Sequence, residues 1–110
     1  MTQGKNFAGT GAIGPWIVTE DECPAFDAMT LTTRVNGETR QHDSTSRMMF
    51  PFAQLIRYIS TFLVLKPGDI IATGTPAGVG HFRDPPRYLK SGDRLRMEVE
   101  RVGVLEHSIA

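Results

Sequence analysis

The residues with most chemical promise lie between Thr73 and Gly80, Thr-Gly-Thr-Pro-Ala-Gly-Val-Gly. Three glycines and one proline in these eight positions make a loop that lets a partner approach the backbone closely. Exposed N–H groups, with the hydroxyls of Thr73 and Thr75, supply donors and acceptors suited to gripping an anion. The loop is not a Walker loop, because no Gly-Lys-Ser/Thr follows, and it is not a GxGxxG that opens a helix. A plain structural turn and a ligand contact both fit this pattern.

Other reactive side chains are more scattered. Lys5, between Gly4 and Asn6, reads either as a solvated lysine or as a cation pointing into a site beside the loop. Thr19-Glu20-Asp21-Glu22 has the spacing of a capping box, with Thr19 as N-cap; adjacent acids on one turn diverge, which disfavours a metal cluster. His42, Asp43 and Ser44 to Ser46 contain triad residue types, but sequence neighbours cannot converge as a triad does, and the segment reads as a polar loop. His81 follows the glycine loop as either an incidental side chain or a ligand or base.

The elements that must position these groups are few. Lys66-Pro67-Gly68-Asp69 is a turn, and the apolar Ile70-Ile71-Ala72 after it has the length of a buried strand leading into the loop. Met29 to Gln41 predicts a hairpin about an Asn36-Gly37 type I′ turn. Pro51 to Leu63 predicts a helix: Phe52, Leu55, Ile56, Ile59, Phe62 and Leu63 form one apolar face, expected to plug the core. Asp84-Pro85-Pro86-Arg87 is an extended excursion. Lys90-Ser91-Gly92-Asp93 repeats the earlier turn, Arg94 to Glu100 alternates as a half-buried strand, and a last strand runs from Val104 to Ile109. The expected class is α+β and β-rich, with 1–110 as a single domain.

The totals narrow the function classes. One domain is the limit for 110 residues. Twelve basic residues balance twelve acidic ones, so no global field attracts nucleic acid or an anionic membrane. The apolar runs are too short to span a bilayer, and no signal-peptide pattern opens the chain. Cys23 is the single cysteine, which suits a reducing compartment. The expectation is a cytoplasmic protein without nucleic-acid or membrane partners.

Taken in order, Gly4-Lys5-Asn6-Phe7, Gly14-Pro15-Trp16, Val35-Asn36-Gly37-Glu38, Ser46-x-Met48-x-Phe50, Leu65 to Gly80 and Pro85 to Asp93 resemble the C-terminal catalytic portion of the fumarylacetoacetate hydrolase family, in its bacterial branch. The resemblance covers essentially the whole chain. It implies a β-roll with one main helix, incomplete in this chain, and a homodimer. It implies an enzyme that hydrolyses, hydrates, decarboxylates or isomerises 2-oxo or β-diketo acids of the acylpyruvate or 2-oxo-dienoate type. Mg²⁺ or Mn²⁺ would stabilise the enolate, as a hard cation suits.

By position, the resemblance makes Lys5 the catalytic lysine beside metal and substrate, and Gly74 and Thr75 substrate-binding. Gly9 falls at a metal-proximal threonine of the family, with Thr10 one residue on. The family's metal carboxylates and catalytic histidine lie upstream of the motif at Lys5, and Glu98-x-Glu100 sits on the outer face of a strand. The expectation is therefore half a site, in a piece of a longer protein or in a truncated form. The alternative is a non-catalytic β-rich module that self-associates or binds small anions. Apolar surface left uncovered is expected to drive self-association.

Overall fold

The computed structural model describes residues 7–23 and 25–110. Its framework is one four-stranded antiparallel sheet made from two hairpins. Strands β1 (Thr30–Val35) and β2 (Glu38–Ser44) form the first; β3 (Arg94–Val99) and β4 (Gly103–Ser108) form the second. They join along β1 and β3, giving the order β2-β1-β3-β4, with Leu31 opposite Val99 and Val35 opposite Leu95. Among the described residues one α-helix, α1 (Phe52–Ile59), follows the first hairpin. The α+β, β-rich class expected from the sequence is the one observed.

Local chemistry explains the joints. Asn36 and Gly37 both have positive φ, 51° and 83°, as a type I′ turn requires. The Asn36 side chain then ties the hairpin tip to the other half of the sheet: its Nδ2 donates to Asp93 Oδ1 at 2.8 Å, and its Oδ1 accepts from the Arg94 N–H at 2.9 Å. The two Lys-x-Gly-Asp turns are built alike. In each, the aspartate carboxylate accepts from the lysine N–H at 2.8 Å, Asp69 from Lys66 and Asp93 from Lys90.

Five expectations are corrected. Ile70-Ile71-Ala72 is not a strand, and Ile70 stands 74% exposed; a short apolar run becomes a strand only where a sheet edge offers ladder partners, and the described sheet pairs elsewhere. His42, Asp43 and Ser44 are not a loop but the end of β2, facing Thr32, Leu31 and Thr30. Backbone pairing carries a strand through polar residues at a sheet edge. The helix ends at Ile59 rather than Leu63, with Pro51 at its cap. Nor is it a core plug, since none of its residues is buried. Finally, Thr19 to Glu22 makes only a turn, with the Glu22 N–H donating to the Thr19 carbonyl at 3.1 Å.

Among the described residues, the buried apolar side chains are Cys23, Val35 and Leu95. Val35 and Leu95 are cross-strand partners at the β1–β3 seam. Against this small core, Ile17, Met49, Val64, Ile70 and Phe82 stand 74–92% exposed. An isolated chain with that much apolar surface is unstable toward association. Multi-angle light scattering is expected to give a mass that rises above the monomer's with concentration; a constant monomer mass contradicts this.

Trp16 closes the β3–β4 turn. Its Nε1 donates to the Val102 carbonyl at 2.6 Å, and its ring occupies the space where a side chain on Gly103 would begin. Gly103 also has a φ of +132°, outside the usual range of L-residues. Gly103→Ala is therefore expected to cost about 2 kcal/mol, read as a lower urea midpoint; an unchanged midpoint contradicts the clamp.

Candidate functional site

The loop 73–80 makes no ladder of its own and is held by β2. The hold begins at an irregularity. Thr33 faces Gln41 and Arg34 faces Thr39, so Arg40 has no opposite residue. A bulge of this kind re-aims the groups around it and is common beside functional sites. Here the Arg40 carbonyl accepts from Arg83 Nη2 at 3.2 Å and packs against Gly78, where any Cβ would collide with it. The neighbouring Gln41, half-buried, reaches the loop directly. Its Nε2 donates to Thr75 Oγ1 at 2.8 Å and to the Pro76 carbonyl at 2.9 Å.

Thr75 stands where two cavities meet. The first, of about 280 Å³, is bounded by Thr73 to Pro76, Asp43, Ser44 and Arg47 with apolar Met48, Phe50 and Leu55. The second, of about 300 Å³, is bounded by Gln41, Thr75, Arg40, Arg83, Arg87 and Tyr88, among others. Its electrostatics favour an anion: Arg40, Arg83 and Arg87 lie 3.3, 3.8 and 3.5 Å from the one carboxylate of Glu38. Three cations on one anion leave net positive charge, exposed enough to be partly screened by solvent. Asp93, on the wall of the same cavity, is held below its ordinary pKa by the Lys90 N–H first and the Asn36 amide second.

The expected site residues divide as follows. Gly74, with φ of +104°, and Thr75 lie together at the first cavity. Lys5 lies outside the described residues. Gly9 and Thr10 sit in an exposed turn where Thr10 Oγ1 donates to the Phe7 carbonyl at 2.7 Å, and neither bounds the cavities at Thr75. His81 is engaged with Tyr88, its Nδ1 2.8 Å from the phenol oxygen. Gln41, Arg40, Arg83 and Arg87 were not singled out from sequence. A bulge leaves no local signature in Thr-Arg-Gln, so nothing there announces that Gln41 reaches the loop.

A divalent cation such as Mg²⁺ or Mn²⁺ asks for a cluster of oxygen donors. Among the described residues, no three His, Cys, Asp or Glu side chains gather as a metal site. Asp43, the carboxylate on the first cavity, is 3.4 Å from Arg47. One carboxylate shared with a guanidinium falls short of the six or so oxygens such ions require. The described residues do not fit a Mg²⁺ or Mn²⁺ site by themselves.

The glycines give the loop a checkable signature. Gly74 and Gly78 have φ of +104° and +108°, but only Gly78 also lacks room for a Cβ. Gly74→Ala is expected to cost on the order of 1 kcal/mol of stability and Gly78→Ala about 2 kcal/mol or more. Urea titration of the two variants checks this, and the reverse order contradicts the packing of the loop on the bulge.

The chain was also compared with known proteins. Residues 1–110 match the family model for fumarylacetoacetate (FAA) hydrolase, C-terminal. Fumarylacetoacetate hydrolase from Exiguobacterium antarcticum superposes with a TM-score of 0.93 at 42% identity, covering 97% of this chain and 38% of that one. Maleylpyruvate hydrolase from Sphingobium sp. SYK-6, in complex with manganese (II) ion and pyruvate, gives a TM-score of 0.78 at 35% identity over 88% of this chain and 34% of that one. 5-Carboxymethyl-2-hydroxymuconate delta-isomerase from Mycobacterium smegmatis gives 0.72 at 39% identity over 84% and 33%. The chain spans about a third of the length of the curated relatives it matches.

Proposed function

The chain belongs to the fumarylacetoacetate hydrolase family, and from that premise we propose that it supplies the substrate-holding side of an enzyme acting on 2-oxo acids. Solved members of the family include hydrolases and an isomerase. The proposed substrates are acylpyruvates or 2-oxo-dienoates, which the enzyme hydrolyses, hydrates, decarboxylates or isomerises through an enolate. The proposed setting is a cytoplasmic homodimer that needs Mg²⁺ or Mn²⁺. Support for the cation comes from the manganese and pyruvate bound by the Sphingobium hydrolase; among the described residues no three His, Cys, Asp or Glu side chains gather to hold it.

One observation carries the reading: Thr75 is fixed by Gln41 at the meeting of two cavities, one of them edged with arginines. The Thr75 hydroxyl and the loop amide at Gly74 donate to an anionic oxygen of the substrate, with no rearrangement needed as charge develops on it. Preorganised donors of this sort stabilise an enolate more than they stabilise the neutral ketone. The guanidinium edge raises the local concentration of anionic substrate, and the apolar side chains of the first cavity face its carbon chain. Lys5 is assigned the proton-handling role beside the reacting carbons by family position alone.

A second reading has its own support. The lack of a three-residue ligand cluster among the described residues favours a non-catalytic module that binds small anions. Replacing the matching segment of the Exiguobacterium antarcticum hydrolase with this chain, and assaying acylpyruvate and oxaloacetate turnover with Mn²⁺, separates the two. The enzyme reading expects metal-dependent turnover by the chimera, abolished by EDTA and reduced at least tenfold by Thr75→Val, the loss appropriate to a hydrogen bond to a charged group. A folded chimera with no turnover of any of these substrates contradicts it and leaves the binding module.

A further inference from the structure

We infer that Gln41 is a positioning residue that fixes the polarity of the Thr75 hydroxyl, making it a hydrogen-bond donor toward a ligand and so selecting an anionic oxygen. The inference rests on the reading that this loop holds a 2-oxo acid.

The argument begins at Pro76. Its carbonyl can only accept, so the Gln41 side-chain atom 2.9 Å away is the amide nitrogen. The opposite amide orientation would set two carbonyl oxygens against each other. The same nitrogen lies 2.8 Å from Thr75 Oγ1. Both hydrogens of the NH₂ group are thus used, one on each partner. Thr75 Oγ1 receives one of them as an acceptor, which leaves its own hydrogen free. Among the described residues the hydroxyl has no other partner, and Thr75 is exposed at both cavities. A hydroxyl normally rotates to suit either a donor or an acceptor. This one is committed: turning its hydrogen toward Gln41 would forfeit the bond from the NH₂ group.

The lock is also held from behind. Gln41 is half-buried in β2, next to the bulge at Arg40. Gly78 allows the loop to pack on the Arg40 carbonyl, and Arg83 donates to that same carbonyl. The amide therefore cannot follow the loop away, and the donor stays aimed while the ligand binds.

The test joins a ligand-free arm to a ligand arm, both on residues 1–110. In ¹⁵N spectra, the two Gln41 side-chain amide hydrogens are expected to resonate apart from those of solvated glutamines. Thr75→Val is expected to move one of the pair and leave the other, still bonded to Pro76. In the second arm, pyruvate is titrated into wild type, Gln41→Glu, Thr75→Val and the double variant. Gln41→Glu is close to isosteric but accepts only, so it draws the Thr75 hydrogen to itself. It is expected to weaken pyruvate binding about tenfold in wild type and clearly less in the Thr75→Val background. The added charge acts in both backgrounds and cancels in the cycle. If Gln41→Glu fails to fold, Gln41→Met, which removes the lock without charge, serves in its place with a smaller expected loss.

Equal losses in both backgrounds overturn the inference, as does a Gln41 amide pair indifferent to Thr75→Val, and pyruvate binding by the wild type in either case leaves the functional reading standing. No pyruvate binding by wild type overturns that reading and the donor role with it, even where the amide arm finds the lock intact.

Discussion

The two hydrogen bonds from the Gln41 amide to the loop are the contact on which the rest of the site depends. The segment 73–80 has no ladder of its own; backbone bonds anchor its far end, where the Phe82 N–H donates to the Val79 carbonyl and the Arg87 N–H to that of Gly80, and around Thr75 its shape depends on side chains that reach it. A backbone without strand or helix bonds opens at little cost, and a binding loop that opened freely would lose its pre-aimed donors. Gln41 prevents this by serving a hydroxyl and a carbonyl with one NH₂ group. The bulge at Arg40 sets the angle from which it does so, and Gly78 supplies the room. Removal of any one of the three loosens the other two, because they share contacts in a single patch, where substitutions are not additive.

The sheet is the rigid base for that arrangement. Its two hairpins meet at the β1–β3 seam, where Val35 and Leu95 are buried partners, and the Asn36 amide fastens the hairpin tip to Asp93 and Arg94. Gln41 projects from this framework rather than from a loop, which gives it a fixed origin. Elsewhere the framework is thinly covered. The helix buries none of its residues, and the apolar side chains exposed around it offer surface for association. The arginines around Glu38 bridge β2 to the segment after the glycine loop.

What could be read from the sequence was what local chemistry decides. Asn36-Gly37 announces its turn because two positive φ values admit few other residues. The aspartates of the two Lys-x-Gly-Asp turns cap their own backbones within four residues. The alternation from Arg94 to Glu100 survives as β3. The loop 73–80 is recognisable by its glycines.

The remaining features depend on partners far along the chain. Ile70-Ile71-Ala72 has strand composition but finds no ladder in the described sheet. His42 to Ser44 has loop composition but is carried into β2 by the backbone of Thr30 to Thr32. Phe52 to Leu63 has the periodicity of a packed helix, yet a periodic face specifies what could be buried and not what covers it. Gln41 could not be found because its role is set by a one-residue bulge and by a loop 34 positions away.

The most direct measurement is hydrogen–deuterium exchange across 73–80 with and without pyruvate. If the loop is a preformed anion grip, exchange at Gly74 and Thr75 slows on adding pyruvate, while that at the β1–β3 seam does not change. An unchanged loop at saturating pyruvate would contradict the account.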